Sequence, residues 1–176
     1  TRRYLTKNQE EKTGERMEIP KELEKGNVNF VESGFDFSKI AKGQHAKFVV
    51  ITCSDARVSP EVVFNQPLDT LFVIRNAGAI MAKEEMATLQ YAIEHIPTIE
   101  GVVYMSHTSC GMINAVLSKE EFKGDLGSVV DELRAQLRGK SERQALEFMT
   151  RNSIDEIKKL VAESKKSTPV FGVIYH

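Results

Sequence analysis

The sequence predicts an α/β fold, with a mostly parallel central β-sheet of about four to five strands flanked by α-helices. Three observations predict it. The chain of 176 residues has the length of one ordinary domain, four short apolar runs are typical of buried strands, and amphipathic segments separate those runs. No repeat, low-complexity tract or Pro/Gly-rich linker divides the chain, so residues 1–176 are interpreted as a single domain.

The four predicted strands are rich in β-branched residues and are almost continuously apolar. They cover Lys47–Asp55, Thr70–Gly78, Gly101–His107 and Pro169–Tyr175. Helices cover both faces of a parallel sheet, and strands inside such a sheet therefore lack the polar alternation of a half-exposed strand. The runs favour strands that are buried on both faces.

Helical spacing of apolar residues predicts the segments between the strands. One helix is predicted in AKEEMATLQYAIEHI, between the second and third strands, and two more over Leu126–Leu137 and Arg143–Val161. Ile19–Ser33 predicts an N-terminal helix, although Gly26 and Asn27 weaken the pattern. Residues 1–17 are polar without a clear period, which indicates an arm that is flexible or packed against a partner.

Composition excludes some classes of function. The net charge is -1, with 41% hydrophobic and 28% charged residues, which is typical of a soluble globular protein without a general attraction to nucleic acid or anionic membranes. No stretch approaches the roughly 20 apolar residues that span a bilayer, and the first residues lack the apolar core of a signal peptide. We therefore expect a cytoplasmic location.

Both cysteines of the chain follow predicted strands. Cys53 lies in TCSDAR after the first strand, and Cys110 lies in SHTSCG after the third strand, three positions beyond His107. Ligand sites in open α/β sheets form beyond the carboxyl ends of the strands, so these residues would meet at one edge. Cys110 could be a small core residue, half of a disulfide with Cys53, or a metal ligand.

Two thiolates and one imidazole make a Cys2His set, which is a known ligand set for catalytic zinc with an open position for water. Either motif alone is more often structural. The two motifs together make a metal site about as probable as a structural role, because both cysteines follow strands, His107 lies near Cys110, and Asp55 and Arg57 follow Cys53 at alternate positions. A guanidinium holds a carboxylate ionised and oriented, so Asp55 could accept a hydrogen bond from metal-bound water, ligate the metal, or form a structural salt bridge.

The motifs CSDAR, RNAG and HTSCG resemble, in order and approximate spacing, the C-x-D-x-R, R-N-A-G-N and G-H-x-x-C-G motifs of the β-class carbonic anhydrases. The similarity runs from about Gly26 to Tyr175. It implies one Zn2+ per chain and the reversible hydration of carbon dioxide to bicarbonate and a proton. The implied zinc ligands are Cys53, His107 and Cys110, with Asp55 and Arg57 as the catalytic pair.

The resemblance also implies a substrate pocket and an assembly. Gln44, in the segment KGQHAKFVV, would donate a hydrogen bond to substrate or bicarbonate from across a dimer interface. Phe72, Ala77 and Tyr91 match positions that line the apolar carbon dioxide pocket, although such residues are more often plain core. The implied partner is a second copy of the chain, in a homodimer or a homotetramer.

The chain departs from the family pattern at two positions. Ser106 stands where glycine usually precedes the histidine, and we expect its side chain close to the metal loop. Ala79 stands where asparagine usually follows RNAG, which removes a polar contact. The chain also stops at His176, where family members normally continue with an additional edge segment, and the sequence leaves open whether the C-terminus is complete.

Several alternatives stay open at this point. If the pair of Asp55 and Arg57 opens, the carboxylate can take the fourth zinc position and close the site. A hydrolase of carbon disulfide or carbonyl sulfide would use the same fold, and a non-catalytic zinc or redox domain would need a sealed site. A dinucleotide-binding domain would need a G-x-G-x-x-G turn after its first strand, which is missing. The proton shuttle is unassigned.

Overall fold

The computed structural model describes residues 19–38, 40–164 and 167–176, and its central element is a parallel four-stranded sheet. The strand order is β2-β1-β3-β4, and every neighbouring pair is parallel. The predicted α/β class is confirmed. The strands are Phe48–Cys53 (β1), Leu71–Asn76 (β2), Gly101–His107 (β3) and Val170–Tyr175 (β4).

Helices connect the strands, as parallel pairing requires. Besides a short 3-10 turn over Ala56–Val58, the described helices are Lys21–Glu32 (α1), Pro60–Val63 (α2), Lys83–His95 (α3), Gly111–Leu117 (α4), Gly124–Leu137 (α5) and Glu142–Glu163 (α6). The longest, α6, packs against β3, β4 and α3. It starts with a capping box, in which the Ser141 side chain accepts from the Gln144 N–H and the Gln144 side chain accepts from the Ser141 N–H.

Burial differs between the central strands and the last strand. Strands β1 and β3 are buried along nearly their whole length, as predicted. The prediction holds only in part for β2, the first edge strand, where only Ile74 is buried, and it is wrong for β4, where Phe171, Val173 and Tyr175 are exposed. This strand lies at the edge of the sheet and only its other face is covered. There α6 packs so closely that a Cβ on Gly172 would overlap Ile154.

The chain divides into two compact units, residues 1–43 and residues 44–176. In the first, the structure describes residues 19–38 and 40–43, and α1 confirms the predicted N-terminal helix. The rings of Phe30, Phe35 and Phe37 pack against one another in edge-to-face and tilted arrangements in this unit. The predicted arm over residues 1–17 lies outside the described residues, and the interpretation of the chain as one domain stays a prediction.

The second unit contains the sheet and two buried apolar clusters, one of which includes both cysteines. No helix in the described part of the chain is both long enough and apolar enough to cross a membrane.

Candidate metal centre

The carboxyl ends of β1 and β3 bring three metal-ligating side chains together. These strands are neighbours in the sheet; Cys53 ends β1, His107 ends β3, and Cys110 follows after a short loop. One ligand atom from each residue lies within 4.8 Å of the others. The residues are only 6%, 3% and 2% exposed. Three buried donors at this distance from one another fit a Cys2His metal site.

The pKa values of the two thiols are shifted in opposite directions. The Sγ atoms of Cys53 and Cys110 lie 3.9 Å apart, and both cysteines are free, which contradicts the disulfide alternative. The Cys110 thiol, together with the backbone N–H groups of Gly78 and Asp55, lowers the pKa of Cys53 to about 4. The neighbouring Cys53 thiolate and burial raise the pKa of Cys110. A bound cation would let both thiols ionise.

The imidazole of His107 is oriented for a ligand at Nε2. Its Nδ1 lies 2.9 Å from the carbonyl oxygen of Thr108, which only accepts, so Nδ1 carries the hydrogen and the lone pair is on Nε2. Among the residues that the structure describes, His107 Nε2 is the one buried side-chain nitrogen or oxygen without a hydrogen-bond partner. A buried acceptor of this kind is costly unless something fills its lone pair. A metal ion would fill it.

Asp55 and Arg57 form a two-point ion pair beside the cluster. Arg57 Nε donates to Asp55 Oδ1 at 2.9 Å, and Nη2 donates to Oδ2 at 2.6 Å. The guanidinium and the Arg57 backbone N–H hold the pKa of the Asp55 carboxyl well below its usual range. Both carboxylate oxygens therefore accept hydrogen bonds from Arg57 in this structure, and the carboxylate is not among the clustered ligand atoms.

The strand end of β1 is fixed by residues to which the sequence interpretation assigned no role. Arg75 donates to the carbonyl oxygens of Cys53 and Asp55, at 2.9 and 2.7 Å. Gly78 has a φ of +86°, and a Cβ there would lie 2.8 Å from Met112 Cγ, so only glycine fits. Both residues belong to the RNAG motif, so this motif could have indicated their role in the sequence.

The predicted substrate residues are spread over the second unit. The ring of Phe72 is half-buried and lies 6.4 Å from the ring of Tyr91, which is largely exposed. Ala77 and Gln44 are exposed. Their assignment to a pocket depended on a second chain, and it stays a prediction.

The two departures from the family pattern are each tied to another part of the chain. The Ser106 hydroxyl is buried and lies 2.9 Å from the Thr150 hydroxyl of α6, so the side chain that the sequence placed close to the metal loop is paired with a helix. Ala79 is buried with a φ of +53°, a conformation that costs energy for any residue with a Cβ. Its carbonyl accepts a hydrogen bond from the Tyr104 hydroxyl at 2.8 Å.

The fold and the cluster together define an α/β protein with a candidate Cys2His metal centre at the edge of its sheet. The family model described as "Carbonic anhydrase" matches residues 48–170. A carbonic anhydrase of Synechococcus elongatus is 36% identical over 104 residues, which are 56% of this chain and 38% of that protein. The chain belongs to the carbonic anhydrase family, in its β class.

Solved structures support the same class. The β-carbonic anhydrase of Coccomyxa, in complex with acetazolamide, has 25% identity and a TM-score of 0.70, covering 88% of this chain and 80% of that one. Two likenesses below 25% identity show the fold alone. They are a tetrameric β-carbonic anhydrase of Sordaria macrospora (21%, TM-score 0.65, 88% and 87% covered) and a carbon disulfide hydrolase (15%, TM-score 0.56, 89% and 86% covered).

The chain spans less than half the length of the Synechococcus relative.

Proposed function

We propose that this protein holds one Zn2+ on Cys53, His107 and Cys110 and catalyses the reversible hydration of carbon dioxide to bicarbonate and a proton. The observation that carries the proposal is His107 Nε2, which is buried without a partner on an imidazole that has a ring nitrogen within 4.8 Å of two free thiols. The donor set is one that catalytic zinc uses. Zinc bound there would supply the Lewis acidity that makes water a nucleophile near neutral pH.

The two cysteines would contribute to metal loading in different ways. Cys53 is ready as a thiolate because its pKa is lowered to about 4. Cys110 still holds its proton at neutral pH in the metal-free protein, because the Cys53 thiolate and burial raise its pKa. Loading with zinc should therefore release the Cys110 proton, so that metal affinity rises with pH.

Asp55 would orient the attacking water. Its carboxylate stays ionised through the neutral range, because Arg57 holds its pKa well below the usual value. An ionised carboxylate accepts a hydrogen bond from the water and directs a lone pair of the water oxygen toward carbon dioxide. The two-point contact with Arg57 favours this role over ligation of the metal by Asp55, since both carboxylate oxygens already have donors.

The substrate pocket and the assembly belong to the same proposal. Gln44 would donate to substrate or bicarbonate from a second chain, and the apolar pocket would be lined by Phe72, Ala77 and Tyr91. A dimer or tetramer is supported by the exposed apolar side chains of the edge strand β4, which a second copy could cover. A cytoplasmic location is part of the proposal and rests on the sequence interpretation.

Hydrolysis of carbon disulfide or carbonyl sulfide is the alternative activity. It is supported by the fold likeness to a carbon disulfide hydrolase, but at 15% identity this likeness does not reach the site chemistry. A non-catalytic zinc domain would need a sealed site, whereas Asp55 is engaged by Arg57.

The proposal is tested by zinc content per chain and stopped-flow carbon dioxide hydration, measured on the wild type and on Cys110→Ser. We expect one zinc per wild-type chain, and loss of both zinc and hydration in the variant, because only two of the three ligands remain. Ser128→Ala, on the exposed face of α5, is the control and should keep both.

Each other result contradicts a separate part of the proposal. A wild-type chain that binds no zinc would remove the metal centre. Stoichiometric zinc without hydration, but with hydrolysis of carbon disulfide, would replace the substrate. Zinc without either activity would leave a structural site.

A further inference from the structure

The loop from His107 to Cys110 has an identified partner for each backbone polar group of its two middle residues. The Thr108 N–H donates to the Tyr175 carbonyl oxygen at 2.9 Å, and the Thr108 carbonyl oxygen faces His107 Nδ1. The Ser109 carbonyl oxygen accepts from Arg57 Nη2 at 3.1 Å. Its N–H donates to a carboxylate, Oε1 of Glu142, at 2.6 Å. Side chains from two distant elements thus hold the peptide groups of Ser109.

Ser109 is also the strained residue of this loop. Its φ is +56°, in the left-handed region that residues with a Cβ rarely adopt. Such a conformation persists when the surrounding structure fixes it. Ser109 directly precedes the ligand Cys110, so a change in its backbone angles would move the Cys110 sulfur.

Glu142 approaches the loop from a rigid element. It is the first residue of α6, and the capping box of Ser141 and Gln144 fixes that end of the helix. The helix packs along β3 and β4, and Thr150 in its middle is paired with Ser106 of β3, so the helix is held against the strand that leads into the loop. The Glu142 carboxylate is therefore held at a defined position beside the Ser109 N–H.

We propose that Glu142 is a positioning residue of the metal centre, which acts through the Ser109 N–H to keep the Cys110 sulfur in reach of Cys53 and His107. The inference rests on the proposed zinc site. A purely structural role would be different. An acidic residue in the first turn of any helix stabilises that helix through the helix dipole, whether or not the helix start faces the metal loop.

The expected effect on metal retention is moderate. Partners behind the ligands of a metal typically contribute ten- to a hundredfold in affinity. Glu142 also lines a cavity of about 330 Å³ together with Thr108 and His176, so water can reach the Ser109 N–H when the carboxylate is removed. We therefore expect Glu142→Ala to release zinc about tenfold faster, at the lower end of that range.

The experiment measures zinc release to a chromogenic chelator from the zinc-loaded protein, together with the visible spectrum after cobalt substitution. Glu142→Ala should release zinc faster and change the cobalt spectrum, because the Cys110 thiolate is less well placed. Glu142→Gln should behave like the wild type, since the amide oxygen still accepts from Ser109. Asp125→Ala is the matched control, because it removes an acidic residue from the first turn of α5, away from the loop.

The proposal is overturned if Glu142→Ala releases zinc at the wild-type rate, if Asp125→Ala accelerates release equally, or if Glu142→Gln behaves like the alanine variant. Release is measured without any assay of hydration. A chain that holds zinc but does not hydrate carbon dioxide would contradict the proposed activity and leave this test intact, whereas a chain that binds no zinc would overturn the inference together with the site.

Discussion

The ends of β1 and β3 contribute to the same cluster, but they are held in different ways. At the end of β1, backbone N–H groups of Gly78 and Asp55 point directly at the sulfur of Cys53. At the end of β3, the partners in the loop bind backbone groups of Thr108 and Ser109. Arg75 also fixes backbone carbonyls at β1, but there the donors reach the ligand atom itself and act on its charge, whereas these contacts at β3 act on the path of the chain.

This difference separates two kinds of substitution. Changes around the end of β1 should alter the chemistry of the site or its packing against the turn after β2. Changes around the end of β3 should alter how firmly a metal is retained.

The largest effect is expected at the end of β1, from Asp55→Asn. The amide is neutral, has a single acceptor oxygen and cannot match the two-point contact with Arg57, so the water that Asp55 is proposed to orient would lose its ionised acceptor. We expect turnover of carbon dioxide to fall by about a hundredfold with zinc content unchanged. Asp125→Asn on α5 is the control. Full activity in Asp55→Asn would assign the pair to structure, and loss of zinc would contradict the division between the two strand ends.

A smaller effect is expected from Gly78→Ala, which adds a Cβ at a φ of +86° and 2.8 Å from Met112 Cγ. The left-handed conformation and the close contact together should lower the free energy of unfolding by about 2–3 kcal/mol. Urea denaturation measures it. Gly111→Ala is matched, since nothing lies within 4 Å of its Cβ position. Equal stability of both variants would show that the turn after β2 adapts freely.

The smallest effect is expected from Tyr104→Phe, which removes the donor to the Ala79 carbonyl and should cost about 1–2 kcal/mol. Burial raises the pKa of Tyr104 to about 12 from an ordinary 10.0. The unfolded chain therefore loses this proton first, and the stability that Tyr104 contributes is complete below pH 10 and is lost as pH rises through 12.

Urea denaturation between neutral pH and pH 12 would test this prediction. The wild type should lose stability toward the alkaline end, and the difference from Tyr104→Phe should shrink there. A difference that stays constant with pH would show that Tyr104 does not titrate in this range.

The parts of the fold that follow from local pattern were predictable. Continuous apolar runs located all four described strands, and helical spacing located α1, α3, α5 and α6. The exposure of β4 was not predictable, because a run of apolar residues does not reveal whether its strand lies inside the sheet or at its edge. The short helix α2 has too few residues to show a period.

The candidate site divides in the same way. Cys53, His107 and Cys110 stand in short motifs at strand ends, so their convergence could be expected from the topology. Glu142 lies 33 residues beyond Ser109, and it binds a backbone N–H. A contact with a backbone N–H produces no recognisable sequence motif, because every residue except proline carries that N–H group.

The hydroxyl pair of Ser106 and Thr150 links β3 to α6 and constrains which residues can stand at both positions. Replacing Ser106 by glycine, the residue that usually stands there in the family, would remove the partner of a buried hydroxyl on the helix. We therefore expect glycine at position 106 to be unfavourable while threonine stands at position 150. Substitutions at these two contacting positions should not be additive, so a change at position 106 should be tolerated best together with a change at position 150.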